Sequence, residues 1–419
     1  MDSLTGGTST TPLPPAAPDG SPRAEPARGG APVLSRAVVL LAALASGLAV
    51  ANVYYAQPLL DAIGDDLRMP RSTIGIVGTL TQIGYGLGLL ALVPLGDLVD
   101  RRKLIIGQSA LSVLALCAVA LATHGAALLA AIFVVGFLAV VAQVHVAHAA
   151  ALASPAERGR VVGAVTSGIV CGILLARAAS GLLSDVFGWR AIYVAAALAN
   201  IVVVALLAKA LPTQPSRGQR MGYVELVTSV ISLFAQERVL RIRATLALLI
   251  FMSITVLWTS MALALRAPPH ELSHTAVGMF GFAGVLGAMG ATLAGGRADR
   301  GQAQRTTGIA LTLMLLAWIP LAAQPYSIWA LIAGVVLIDF GLQAVHVSNQ
   351  SLIYRVRPEA QSRLTAGYMI FYSIGCALGS ILSTIAFALA GWRGVSLLGF
   401  AISALALAQW LATRRHTPG

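Results

Sequence analysis

The sequence predicts an all-α polytopic membrane protein with twelve transmembrane helices in two six-helix halves, and three observations predict it. Apolar residues fill 57% of the 419 positions and charged residues 11%, against roughly a quarter charged in a soluble domain. Apolar blocks follow one another from about Ala37 to Leu411, parted by short polar stretches, and about 20 such residues cross a bilayer. The second half repeats landmarks of the first at a nearly constant offset. In hydrocarbon each backbone polar group must be satisfied internally, by a helix or a closed barrel. Long unbroken apolar runs lack the alternation of barrel strands and select helices.

The chain opens with a tail, 1–34, that holds seven of the 19 prolines and too few apolar residues to build a core. It has no basic start, short apolar region and cleavage site of a signal peptide. The spacing predicts helices over 36–60, 72–94, 103–123, 126–149, 160–184 and 190–209. A second set is predicted over 243–266, 274–295, 304–323, 328–352, 362–388 and 392–412. The domains are therefore the tail 1–34, a half over 35–209, a central loop over 210–242, a half over 243–412 and a tail over 413–419. Within the loop, Tyr223 to Phe234 has the apolar period of a helix lying on a membrane surface.

Net charge is +12. With the N-terminus placed in the cytoplasm, 22 of the 28 Lys and Arg fall in cytoplasmic segments. The positive-inside rule then puts both termini in the cytoplasm and accounts for the basic balance without nucleic acid. Cys117, Cys171 and Cys376 lie in apolar blocks without a CxxC pair, as small packing residues would.

The repeat is carried by short motifs. Gly96-x-x-x-Asp100-Arg101 follows helix 2, and Gly295-x-x-x-Asp299-Arg300 follows helix 8. Gly188-Trp189-Arg190 precedes helix 6, and Gly391-Trp392-Arg393 precedes helix 12. Gly172 aligns with Gly375, and Val144-His145-Val146 with Val345-His346-Val347. Two six-helix halves in parallel repeat are a transporter architecture.

Here the chain resembles the major facilitator superfamily. The resemblance rests on the loop Gly96, Asp97, Asp100, Arg101, Arg102 and Lys103, with Gly295, Asp299 and Arg300 as its looser copy. Asn52-Val53-Tyr54-Tyr55-Ala56-Gln57-Pro58 and Arg177 are similar to the drug:proton antiporter-1 group. Two positions depart from that group: no Arg stands near Ile132, and Ile173 in place of Pro follows Gly172. The resemblance implies that helices 1, 4, 7 and 10 line a central cavity, and that the Gly96 loop governs switching between states.

Asp339 lies mid-helix 10, and an acid at that depth is costly enough to mark a pathway or a partner. Gln343, His346 and Gln350 follow it on one helical face. Arg177 is the only base within a span. It either snorkels outward or pairs with Asp339. These residues are the candidates for proton coupling or substrate binding, and the bland reading is interhelical glue. Asn52, Tyr55, Gln57, Gln82, His145 and His148 are cavity-lining candidates that could equally satisfy a neighbouring helix. His145 and His148 share a face, but no further ligand stands near enough for a metal site. Gly278, Gly281, Gly284, Gly287 and Gly290 in helix 8 let helices approach closely.

The expected function is secondary active transport by alternating access, with proton-coupled export of a small organic molecule implied by the resemblance. Uptake or uncoupled flux is the alternative. An intramembrane enzyme is the different-class alternative, and no HExxH or GxSxG motif supports it. The expected partners are a small-molecule substrate, protons and the lipid bilayer. No cofactor and no metal is expected, the chain is expected to be monomeric, and its place is a bacterial inner membrane.

Overall fold

The computed structural model describes residues 35–70, 73–153, 157–211, 222–357 and 361–416. The predicted tail 1–34 lies outside the described residues, as do 212–221 of the predicted loop and the last residues, 417–419. The described residues contain helices and turns and no strand.

The helices are α1 (Arg36–Tyr54), α2 (Leu60–Asp66), α3 (Ile76–Ala91), α4 (Leu95–Leu98), α5 (Arg101–Ala120), α6 (Gly125–Ala139), α7 (Val141–Leu152), α8 (Arg158–Phe187) and α9 (Arg190–Ala210). After them come α10 (Tyr223–Gln236), α11 (Arg238–Arg266), α12 (His274–Met279), α13 (Ala283–Asp299), α14 (Ala303–Ala322), α15 (Ile328–Tyr354) and α16 (Gln361–Thr413). Nine stretches among the described residues are long and apolar enough to cross a membrane. One of them, 363–416, joins two predicted helices through a sharp turn at Ala390 and Gly391. The shorter apolar α3 supplies helix 2, and α12 with α13 supplies helix 8. These are the twelve helices of the two halves.

Some predicted helices are interrupted. Helix 1 tightens into a 3-10 turn at Gln57–Leu59 before α2 continues it. Pro58 has no N–H to give and its ring crowds the preceding turn. Helix 8 has a similar break at Phe280–Phe282, within its glycine-rich run. Helix starts are capped by side chains: Ser35, Asp100, His124, Ser273 and Ser327 each accept a bond from a first-turn N–H.

The repeat recurs in local chemistry. Gly188 and Gly391 each turn the chain with positive φ, 83° and 56°, a region open to Gly at little cost. The Trp after each is buried and donates its indole N–H across its own half, Trp189 to Asp66 at 3.2 Å and Trp392 to the Leu321 carbonyl at 2.7 Å. Packing repeats as well. Gly47 of helix 1 and Gly172 of helix 5 face each other's backbone, and Gly375 and Gly379 of helix 11 face Leu248 and Met252 of helix 7. Outward residues such as Leu121 and Leu389, 78% and 82% exposed, fit a lipid surface.

Let the far end be where helix 1 finishes and the near end where it starts. The halves meet along helices 2 and 11 and along helices 5 and 8. The Thr79 hydroxyl donates to the Ala377 carbonyl and that of Ser380 to the Gly75 carbonyl, both at 2.8 Å. Gly181 and Gly278 press on the backbone of His274 and Arg177. These approaches lie between mid-depth and the far end. Toward the near end, Gly163 of helix 5 and Gly295 and Gly296 of helix 8 have nothing within 4 Å of where a Cβ would stand. The halves are thus closed together at the far end. The helix predicted from Tyr223 forms as α10, with Phe234 stacked on Phe371 of helix 11 at 5.1 Å.

Candidate functional site

Arg177 on helix 5 and Asp339 on helix 10 come from opposite halves and lie near each other at mid-depth, 7% and 8% exposed. Between them stands Trp258 of helix 7. The Arg177 guanidinium lies 3.8 Å from the Trp258 ring centroid and 5.2 Å from that of Tyr54. Such cation–π contacts hold a guanidinium by its face and leave its edge free. The Arg177 Nε donates to Gln57 Oε1 at 3.0 Å. The Trp258 indole also stands close to the Asp339 carboxylate. Arg177 does not bond Asp339 directly, but the two charges are near enough to act on each other electrostatically. Gly284 of helix 8 packs beside this site: a Cβ on it would press on Leu174 Cδ2 at 2.7 Å and stand in ordinary contact, 3.8 Å, with Asp339 Oδ2.

An aromatic and polar chain runs from this pair toward the near end. The Tyr54 and Tyr372 hydroxyls meet at 2.9 Å across the two halves. Tyr85 and Phe251 both pack edge-on to Tyr372, at 6.4 and 4.3 Å. Phe251 lies against His346 at 5.3 Å, and His346 Nδ1 is 2.9 Å from the Tyr368 hydroxyl. Gln143 Nε2 donates to the Tyr85 hydroxyl at 3.3 Å. Gln343 and Gln350 are half-buried on the Asp339 helix. Asn52 and Gln82 are buried, each with a side-chain oxygen that has no protein partner. Tyr55 turns into its own half, edge-on to Tyr193 at 6.2 Å.

His145 and His148 are placed elsewhere. They line a small pocket with Val38, Ile105, Leu152 and Leu207, inside the first half at the near end. His145 Nδ1 is 3.2 Å from the Ser46 hydroxyl; its Nε2 and both ring nitrogens of His148 have no protein partner. Among the described residues no group of three or more His, Cys, Asp or Glu could hold a metal ion.

The near-end loop is tied together by backbone acceptors. Asp100 caps α5 by accepting from the Arg102 N–H at 2.9 Å. The Arg101 Nε donates to the Gly96 carbonyl at 2.9 Å and its Nη1 to that of Ala147 at 3.2 Å. The Arg102 Nη2 donates to the Ala208 carbonyl at 2.5 Å. In the looser copy, the Ala298 carbonyl beside Arg300 accepts from Arg355 Nη2 at 2.7 Å. The side chains of Asp97 and Asp299 lie outside the described residues.

Sequence reasoning missed Trp258, Tyr372 and Phe251, whose aromatic rings inside apolar spans carry no outward signal. It also missed Asp61, Asp185, Arg266 and His274. These four meet at the far end.

The Major Facilitator Superfamily profile matches residues 39–355 and 244–419, between them nearly the whole chain. The chain belongs to this superfamily. Among its relatives is the uncharacterized transporter YgaY of Escherichia coli O157:H7, 43% identical over 377 residues, covering 90% of this chain and 95% of the relative. A probable transporter of Streptomyces coelicolor is 34% identical over 392 residues, covering 92% and 90%. A probable sugar efflux transporter of Helicobacter pylori is 21% identical over 360 residues, covering 84% and 88%. In fold, the nucleoside transporter NupG superposes with a TM-score of 0.71 at 14% identity, over 90% of this chain and 98% of that one. A bacterial homologue of the lysosomal transporter Spinster, inward-facing and occupied, superposes with a TM-score of 0.74 at 15% identity, over 90% and 96%. This superfamily member is a multi-pass membrane protein and a secondary transporter of small molecules.

Proposed function

We propose that this protein is a monomeric, proton-coupled exporter of a small organic molecule, working by alternating access in a bacterial inner membrane. The observation that carries the reading is the buried Asp339 of one half set beside the buried Arg177 of the other, with Trp258 between them. Substrate is held by complementary bonds. The terminal nitrogens of Arg177 offer N–H groups to a substrate oxygen, and ionised Asp339 accepts a bond from a substrate O–H or N–H. A proton on Asp339 removes the charge and turns one of its oxygens into a donor, which weakens that bond. Proton and substrate therefore compete for the same carboxylate, and competition of this kind is what exchange requires.

Because Arg177 and Asp339 belong to different halves, their spacing changes as the halves move. The proton affinity of the carboxylate then depends on conformation, which links proton flow to the cycle. The Lys and Arg bias supports placing the near end in the cytoplasm. The likeness to the Helicobacter pylori efflux transporter supports the outward direction. The polar and aromatic chain through Tyr372 and His346 would conduct substrate from the near end.

The test is transport by the reconstituted protein, after a screen of intact cells for altered accumulation has identified a substrate. Asp339→Asn is expected to abolish pH-gradient-driven transport and to weaken substrate binding in folded, inserted protein. Normal pH-driven transport by that variant sinks the coupling role. Chemical conversion of labelled substrate during counterflow would indicate an enzyme instead.

A further inference from the structure

Four side chains meet at the far end, two from each half. Asp61 stands on α2 of helix 1 and Asp185 near the end of helix 5, while Arg266 ends helix 7 and His274 starts helix 8. The Arg266 Nε donates to Asp61 Oδ2 at 2.7 Å, and its Nη1 to the Leu272 carbonyl at 3.1 Å. His274 lies between the two acids: Nδ1 is 2.9 Å from Asp185 Oδ1, and Nε2 is 3.2 Å from Asp61 Oδ1. The backbone N–H groups of His274 and Thr275 also donate to Asp185, at 3.0 and 2.7 Å. The His274 and Asp61 side chains are 9% and 11% exposed, and that of Asp185 is 25% exposed, so the cluster is shielded yet open to far-end water.

Proton counting decides what this arrangement needs. A neutral imidazole has one N–H, and an ionised carboxylate only accepts. Both ring nitrogens of His274 face carboxylate oxygens. The closed cluster therefore holds one proton more than a neutral imidazole and two carboxylates carry. That proton sits on His274 as imidazolium or on one of the acids. With it, and with Arg266, two positive charges balance two negative ones. Without it, a ring lone pair faces a carboxylate lone pair in a largely shielded site, and an unmatched polar pair there is costly.

We propose that Asp61, Asp185 and His274 form a second proton-binding site whose occupation latches the two halves together at the far end. The site is separate from Asp339, which lies at mid-depth on helix 10, and it does not depend on the export reading. Opening the far end draws His274 away from both acids, and the extra proton loses its second acceptor. The proton thus binds the closed form more tightly than the open one. By linkage, the closed form is favoured at low pH and is lost as pH rises through the midpoint of the closed cluster. One proton can change the closed-to-open ratio by up to about tenfold per pH unit.

The experiment is a spin-label distance measurement on the full chain in nanodiscs between pH 5 and 8. The labels go on Asp65→Cys in the first half and Tyr326→Cys in the second, with Cys117, Cys171 and Cys376 replaced by Ala. The short-distance population is expected to grow as pH falls. His274→Gln is expected to make that dependence markedly shallower, and Asp339→Asn to retain the part that His274 supplies. If His274→Gln does not fold, Asp61→Asn serves, with the midpoint expected at lower pH because an acceptor for the proton is weakened. A pH-independent distribution in the parent protein overturns the proposal. So does a slope in His274→Gln as steep as in the parent, a midpoint unmoved in Asp61→Asn, or a slope abolished by Asp339→Asn, which would put the proton at the centre.

Discussion

Arg177 shows how a single side chain can be held firmly and still be available. Its face rests on Trp258, its Nε bonds Gln57, and among the described residues its terminal nitrogens make no further hydrogen bond. Lysine keeps the charge but has neither the planar stack nor the fork. Arg177→Lys is therefore expected to weaken substrate binding about tenfold or more, the loss of roughly one charge-assisted bond, without loss of folded protein. Binding titration of the purified variant checks this, and wild-type affinity would remove Arg177 from the site. The sequence displayed Asp339 and Arg177 plainly, because a charge inside an apolar run stands out. Trp258 was not legible, since which face of helix 7 looks toward the other half is set by helix crossings that composition does not record. His145 and His148 look in sequence like the His346 repeat, yet they stand in the near-end interior of the first half.

Elements meet where glycines allow it, and sequence spacing located several of these seams before their partners were known. A Cβ on Gly172 would collide with the Gly47 backbone, whereas one on Gly163 of the same helix meets nothing within 4 Å. Gly172→Val is expected to destabilise the protein by about 1–3 kcal/mol through overpacking. Gly163→Ala should leave the melting temperature close to wild type. Comparable melting shifts for the two would mean that the close approach of helices 1 and 5 does not set the cost. The near-end loop makes a separate prediction. Asn is as good a helix cap as Asp, so Asp100→Asn keeps the start of α5 and removes only charge. Turnover is expected to fall while substrate affinity stays within a few-fold, and an equal loss of both in folded protein would assign the loop to binding. The breaks at Gln57–Leu59 and Phe280–Phe282 were not legible as breaks. Pro58 was visible, but a proline near a helix end reads equally as a terminus.

For the whole molecule, hydropathy and the internal repeat were sufficient to read twelve helices in two halves, because lipid imposes so few backbone solutions. The conformation was not readable, since closure at the far end depends on pairings such as Asp61 with Arg266, 205 positions apart. Orientation is the expectation to test at this scale. Cys placed at Tyr326, 83% exposed at the far end, should label from outside intact cells, and Cys at Arg415 should be protected. The reverse pattern would invert the protein in the membrane and reverse the transport direction proposed above.

The seating of Trp258 has an optical consequence. Its indole lies with the Arg177 guanidinium over its face and the Asp339 carboxylate close by, so the ring sits in the local field of two opposite charges. The excited state of indole carries a different dipole from its ground state, and its emission wavelength follows the field across the ring. Neutralising Asp339, or screening Arg177 with a bound molecule, changes that field without moving the chromophore. The chain holds six tryptophans, and replacing the other five by Phe would leave the transport site with a built-in dye that reports its own charge state.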